Sequence, residues 1–194
     1  GMSRIAACVI AYQSEDKLPK LLKSLEGHID VLVLGIDRKT TDKTREVAEA
    51  WAKKNKKVQF ITHDFLLEDS ADEPNGPKNF DRARNENWAL IPKDCDWGFW
   101  IDTDDVLHAD ANLHQIADEQ PADVSQVWLL YSYFRNEHGN VTTMFWRERL
   151  IRLKVPGKWI RRLHEICVSA SGKHVQDKRA WVEHENRTDE SSKG

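Results

Sequence analysis

Residues 97–107 read WGFWIDTDDVL. Five mostly large apolar residues are followed at once by Asp102, Asp104 and Asp105. A short aromatic run bounded by polar residues suits a buried strand. Three carboxylates at its end repel one another, so a positive partner is expected nearby. Clustered side-chain oxygens suit a hard divalent cation such as magnesium or manganese, which keeps several waters and shares its remaining positions with phosphates. The competing explanation, acids solvated in a turn or capping the next segment, fits a lone D-x-D better, but it loses ground here because the cluster directly follows a buried, aromatic strand.

Working outward, residues 4–11, RIAACVIA, form another short apolar run, and DVLVLGID at 30–37 forms a third. Between them, Leu18, Leu21, Leu22 and Leu25 recur at helical spacing, with Pro19 in a first turn where it is tolerated. TTDKTREVAEAWAKKN predicts a helix with Thr40 or Thr41 as N-cap and Val47, Ala48 and Trp51 on its apolar stripe. VQFIT at 58–62 predicts the next strand. Residues 63–78, with acids, Pro74, Gly76 and Pro77, read as a long loop. Asn79 is placed to cap a helix from Phe80 to about Leu90. Strand and helix therefore alternate three times before WGFWI, which implies a parallel sheet flanked by helices.

The second half is different. VSQVWLLYSYFR, NVTTMFW and RLIRL are strand-like, and NEHGN at 136–140 is a hairpin connector. This half is expected to be mostly antiparallel and to extend the first sheet. The fold class is thus α/β, a largely parallel Rossmann-like sheet with an antiparallel C-terminal extension, in one domain over 1–194.

Composition narrows the function. The chain has 194 residues, 40% of them hydrophobic, enough for one ordinary core. No apolar run is long enough to cross a membrane as a helix. A net charge of −3 argues against a general nucleic-acid binder. The basic island at 147–162, RERLIRLKVPGKWIRR, offers cations for a phosphate or an anionic acceptor, although solvated strand faces account for most of them. Cys8, Cys95 and Cys167 are too few and too scattered for a disulfide framework or a metal site, so a reduced, cytoplasmic setting is expected. The polar end, 186–194, reads as a tail or as a cut before a further domain.

In open α/β sheets ligands sit beyond the carboxyl ends of the strands. Those ends carry Tyr12, Gln13 and Ser14, then Asp37 with RKTTDKT, then DTDD. Here the sequence resembles the family-2 glycosyltransferases, which have the nucleotide-sugar-binding GT-A fold. The resemblance rests on Ile36–Thr44 after the second strand, on Asn79–Asn85 (NFDRARN), and on Ile101–Asp105, in the family's order and at suitable spacing. It covers 4–108 well and the remainder more loosely. The middle motif departs from the family at Asn79 and Asp81.

The resemblance implies a donor half at 4–108 and an acceptor half at 109–185. It implies Asp37 on the base or ribose, with Ala11, Tyr12 and Gln13 lining that pocket. Asp102 is expected at the ribose or a metal-bound water, with Thr103 beside it, and Asp104 on the metal. Arg84 and Asn85 are expected near the donor. It also implies His184 as a metal ligand and Glu165, with His164 beside it, as the general base. Asp105, Trp146 and Trp159 are candidates for the acceptor side, whereas Trp97, Trp100 and Trp128 suit the core. The implied activity is a metal-dependent, inverting transfer from a UDP-sugar, with manganese or magnesium. The acceptor class is left open among glycan, lipid-linked sugar, protein and modified nucleic acid. Two rivals are a sugar nucleotidyltransferase, for which AYQSEDK lacks the Gly-rich basic loop, and a non-catalytic glycan-binding module.

Overall fold

The computed structural model describes residues 2–67, 80–155, 158–159 and 172–185. Four parallel strands build its first half: β1 (Ile5–Ala11), β2 (Val31–Asp37), β3 (Gln59–Phe65) and β4 (Trp97–Trp100). β1 and β2 are buried along nearly their whole length. A parallel strand covered on both faces needs apolar residues at every position, which is why these segments read as continuous runs.

The connecting helices are α1 (Leu18–Leu25), α2 (Thr44–Lys54) and α3 (Phe80–Ala89). In α1 the four leucines at 18, 21, 22 and 25 are all buried, and proline stands in the first turn as the spacing predicts. α2 departs from expectation at its start. It begins at Thr44 rather than after Thr40 or Thr41, because the Asp42 carboxylate accepts the Thr44 N–H at 3.0 Å and also the Thr44 hydroxyl. β3 also runs on to Phe65, three residues into the expected loop, because each residue from Gln59 to Phe65 finds a partner on β2.

Two elements the sequence did not announce follow β4: β5 (Asp105–Ala109) and α4 (Leu113–Asp118). The second half then supplies β6 (Val124–Arg135), β7 (Val141–Arg152), a small hairpin of β8 (Lys154–Val155) and β9 (Lys158–Trp159), and β10 (Lys173–His184). NVTTMFW and RLIRL are thus parts of one long strand. The main sheet has the order β3-β2-β1-β4-β7-β6-β10-β5. β7 joins β4 antiparallel, β6 joins β7 antiparallel, and β10 is parallel to β6 and antiparallel to β5. The antiparallel half therefore extends the parallel one edge to edge.

Side chains alternate between two cores. Ile5, Ala7, Val9 and Ala11 join the α1 leucines, Trp97, Phe99, Leu113 and Ile116 on one face. Ala6 and Cys8 join Val31, Val33, Trp88, Ile91 and Cys95 on the other, under α3. On that second face Gly98 is required by close packing. A Cβ there would lie 2.2 Å from the Trp88 ring.

Candidate functional site

The chain crosses from β3 back over β1 to reach β4, so the sheet order reverses between β1 and β4. Ligand crevices open at such a reversal, beyond the strands' carboxyl ends. The β4 chain passes directly into the acidic turn there, with Ile101 N–H bonded to Cys8 carbonyl at 3.2 Å. β10 ends at the same place, its His184 opposite Asp105 and Glu185 N–H bonded to Asp104 carbonyl at 2.7 Å. The turn is held from both sides.

Its three acids have different surroundings. The side chains of Asp102 and Asp104 are 34% and 30% exposed. Arg84 of α3 donates to Asp102 Oδ1 at 2.9 Å, and its guanidinium lies 4.9 Å from the Phe80 ring centre and 5.3 Å from that of Trp100. Lys17, just before α1, pairs through Nζ with Asp104 Oδ1. Thr103, between them, is half-buried.

Asp105, the candidate for the acceptor side, is 0% exposed. As the first residue of β5 it points inward. Its Oδ2 accepts the Asp102 N–H at 3.0 Å, and its Oδ1 accepts the Tyr131 hydroxyl at 2.6 Å and faces His184 Nδ1 at 3.0 Å. Beneath it lies Arg149, also 0% exposed, 4.0 Å from Asp105 Oδ2. The Arg149 guanidinium is sandwiched between Trp100 and Tyr131, 4.1 and 4.4 Å from their ring centres, and donates to the Trp100 carbonyl at 3.2 Å. Among the described residues its Nε and Nη2 have no hydrogen-bond partner. Burial pulls the Arg149 pKa down, against the opposing pull of Asp105. Burial, with the nearby Asp105 charge, drives the Tyr131 pKa far up, so its hydroxyl remains a donor.

His184 is 6% exposed, stacks on Tyr133 with centroids 4.7 Å apart, and turns Nδ1 to Tyr131 and Asp105. Among the described residues no group of three His, Cys, Asp or Glu side chains forms a cation cage. The donor set that fits a divalent ion is therefore Asp102 and Asp104, two accessible carboxylates, with water and phosphate oxygens completing the shell.

The second rim of the crevice is the end of β2. Asp37 is 2% exposed, and its Oδ1 accepts the Lys39 N–H at 2.9 Å. Gln13, with φ +46°, reaches across from β1: its Oε1 accepts Thr41 N–H at 2.7 Å and Asp42 N–H at 3.1 Å. Ala11 is buried and Tyr12 is 53% exposed beside it. A cleft lined by Arg38, Asp64, Phe65, Leu66, Arg82, Ala83 and Glu86 adjoins this rim. Asn85 is half-buried on α3, one residue from Arg84. A larger groove, lined by Ile29, Val58, Lys53 and Asn112 among others, lies at the opposite end of the strands and is remote from the acids.

Trp159 packs on the second core, with Lys154 Nζ 5.5 Å from its ring centre, and Trp146 is half-buried on β7 opposite Leu130. Trp97 is core as expected, whereas Trp100 and Trp128 are only half-buried. Glu165 and His164 lie outside the described residues. The sequence reading missed Lys17 and Tyr131, and placed Arg149 only within the basic island. Their partners are 87, 26 and 44 positions away, beyond any local pattern.

No family model matches the sequence, and no curated protein matches it significantly. Solved structures do match. The mannosyltransferase PcManGT from Pyrobaculum calidifontis, solved with GDP-Man and Mn²⁺, superposes on 94% of this chain and 57% of its own with a TM-score of 0.57 at 10% identity. The chain has the GT-A fold. Two further structures align over less of it. S. aureus TarS 1–349 in complex with UDP is 17% identical over 72% of this chain and 38% of its own, with TM-score 0.46. Glucosyl-3-phosphoglycerate synthase from Mycobacterium tuberculosis, with Mn²⁺, UDP and glucosyl-3-phosphoglycerate, is 17% identical over 68% and 44%, with TM-score 0.43. The chain thus spans less than two thirds of each of these GT-A proteins.

Proposed function

We propose that this chain is a metal-dependent glycosyltransferase of family 2, moving a sugar from a nucleotide-diphosphate sugar to an acceptor hydroxyl with inversion. The observation that carries the reading is the pair of accessible carboxylates, Asp102 and Asp104, at the reversal point of a GT-A sheet. Asp37 on the opposite rim supports a nucleoside end, and the cleft under Arg38 gives it space. PcManGT, of the same fold, was solved with a nucleotide sugar and manganese. The nucleoside is uridine in this reading, on the sequence resemblance. In this reading 1–194 contributes one catalytic domain, acting in the cytoplasm. Buried free Cys8 and Cys95 accord with a reducing compartment.

Asp102 and Asp104 would hold the divalent ion. When bound, the ion supplies Lewis-acid stabilisation of the departing diphosphate. Arg84 is fixed against two aromatic rings and presents its guanidinium at the donor side, where it orients the phosphates. The buried Asp105 is shut off from the acceptor and anchors the turn instead. Proton removal from the acceptor falls to Glu165, a step worth about 10²–10⁴ in rate when a carboxylate is well placed. His184 serves the anchor rather than the ion.

The deciding experiment incubates the protein with manganese and a panel of UDP- and GDP-sugars and follows release of the diphosphate. Slow hydrolysis of one donor is expected, and it disappears in Asp104→Asn. No release from any donor would favour a binding module. Glu165→Gln is expected to bind the nucleotide normally and to lose transfer, and unchanged turnover would remove Glu165 from the mechanism.

A further inference from the structure

We infer that Lys17 is an internal counter-ion that exchanges Asp104 for the donor's diphosphate, and so makes cation binding and nucleotide binding depend on each other. The inference rests on the glycosyltransferase reading above and concerns a residue that neither the motifs nor the resemblance singled out.

The charges around the acidic turn already balance. Asp102 is met by Arg84, Asp104 by Lys17 and Asp105 by Arg149, three against three. A divalent ion arriving alone would leave the cluster with two uncompensated positive charges, and Lys17 would be expelled from Asp104 with nothing to receive it. An ion arriving with a diphosphate brings its own anion. Asp104 then passes to the ion and the Lys17 ammonium passes to a phosphate oxygen, and no charge is stranded.

Of the three cations Lys17 is the one built to move. Arg149 is enclosed by two rings, and Arg84, 23% exposed, lies against two others. Lys17 is 46% exposed, and its ammonium is carried on a flexible four-carbon stem. Exposed pairs of this kind contribute little to stability, so the exchange meets a small barrier. Its travel is nevertheless limited. The Lys17 N–H is bonded to Ser14 carbonyl at 3.2 Å, and Ser24, further along α1, accepts the Leu107 N–H of β5 through its hydroxyl at 3.0 Å. The start of α1 is fixed beside the turn, and the ammonium swings within the crevice.

The test is binding, without turnover. Manganese affinity is measured by electron paramagnetic resonance on the full chain, alone and with UDP or GDP present, for wild type, Lys17→Met, Lys17→Arg and Lys20→Met. In wild type the nucleotide strengthens manganese binding, within the roughly 5–150-fold range of such couplings. In Lys17→Met, manganese alone binds more tightly, and the coupling falls by about tenfold. Lys17→Arg restores the coupling, whereas Lys20→Met, which removes a charge from the same helix, leaves it intact. Asp104→Asn separates the two failures. If it abolishes manganese binding while Lys17→Met changes neither affinity nor coupling, the role of Lys17 is refuted and the enzyme reading stands. If Asp104→Asn binds manganese as wild type does, the reading of the site fails and Lys17 with it.

Discussion

Removing the buried cation under the acidic turn is the sharpest test of how the site is supported. Arg149 and Asp105 are both 0% exposed and 4.0 Å apart. At that distance two unit charges attract by about 4 kcal/mol at an effective dielectric constant near 20. Against this stands the desolvation of both ions, several kcal/mol each in a protein interior, and the two Arg149 nitrogens without partners among the described residues add to it. The pair as a whole therefore contributes little net stability, whereas breaking it leaves one charge stranded. Arg149→Met keeps much of the packing between Trp100 and Tyr131 and is expected to cost about 3–5 kcal/mol. Asp105→Asn keeps the shape and strands the guanidinium. The double variant removes both charges, so its loss is expected to be smaller than the sum of the single losses by about 2–3 kcal/mol. Urea unfolding of the four proteins at neutral pH gives the coupling directly. A value below about 0.5 kcal/mol would show that the two charges do not sense each other, and the account of the anchored turn would be wrong.

Other consequences follow from single contacts. Tyr131→Phe removes the donor to Asp105 Oδ1 and is expected to lose about 1.5–3 kcal/mol, the range for a hydrogen bond to a charged group; a loss within experimental error would exclude that bond. Gly98→Ala drives a methyl group into Trp88 and is expected to destabilise by about 1–3 kcal/mol in the same assay, and a neutral result would mean that α3 moves freely. His63 should make stability pH-dependent. Burial lowers its pKa, against the opposing charges of Glu86 and Asp64, and its Nε2 lies 2.9 Å from the Asn87 amide nitrogen, which donates to Val9 and Val33 carbonyls. The neutral ring is thus favoured in the fold. Its contribution is complete above the unfolded value of 6.5 and is lost as the pH falls through the lower folded value. His63→Gln is expected to flatten part of the decline in urea midpoint between about pH 7 and pH 5, and an unchanged slope would point to His28, whose pKa is lowered in the same direction.

Much of this architecture was legible because burial on both faces leaves a plain mark. IAACVIA and VLVLGID are apolar without interruption, and the α1 leucines fall at helical spacing. Asp37, Asp102 and Asp104 were legible as acids ending such runs. The inward turn of Asp105 was not, because DVLHA is short and the acid opens a strand whose parity only its pairing with β10 fixes. α4 left a fainter mark: Asn112 accepts the His114 N–H at 2.8 Å, a capping signal ahead of only six residues. Arg149 misled for a different reason. By simple alternation it shares a strand face with exposed Arg147. Both guanidinium groups do lie over Trp100, but an irregularity in pairing, in which Val127 meets Leu150 while Trp128 meets Glu148, leaves Arg149 without a register partner on β6, and its side chain is buried. No local pattern announces such a bulge.

The nesting of Trp88 over Gly98 reaches further than packing. Trp88 stands one helical turn beyond Arg84, and the residue it covers lies four positions before Asp102. With no side chain at 98, helix and strand approach to a fixed depth, and that depth sets the height at which the guanidinium meets the carboxylate. A larger residue at 98 would act as a shim, displacing a charge that it never touches.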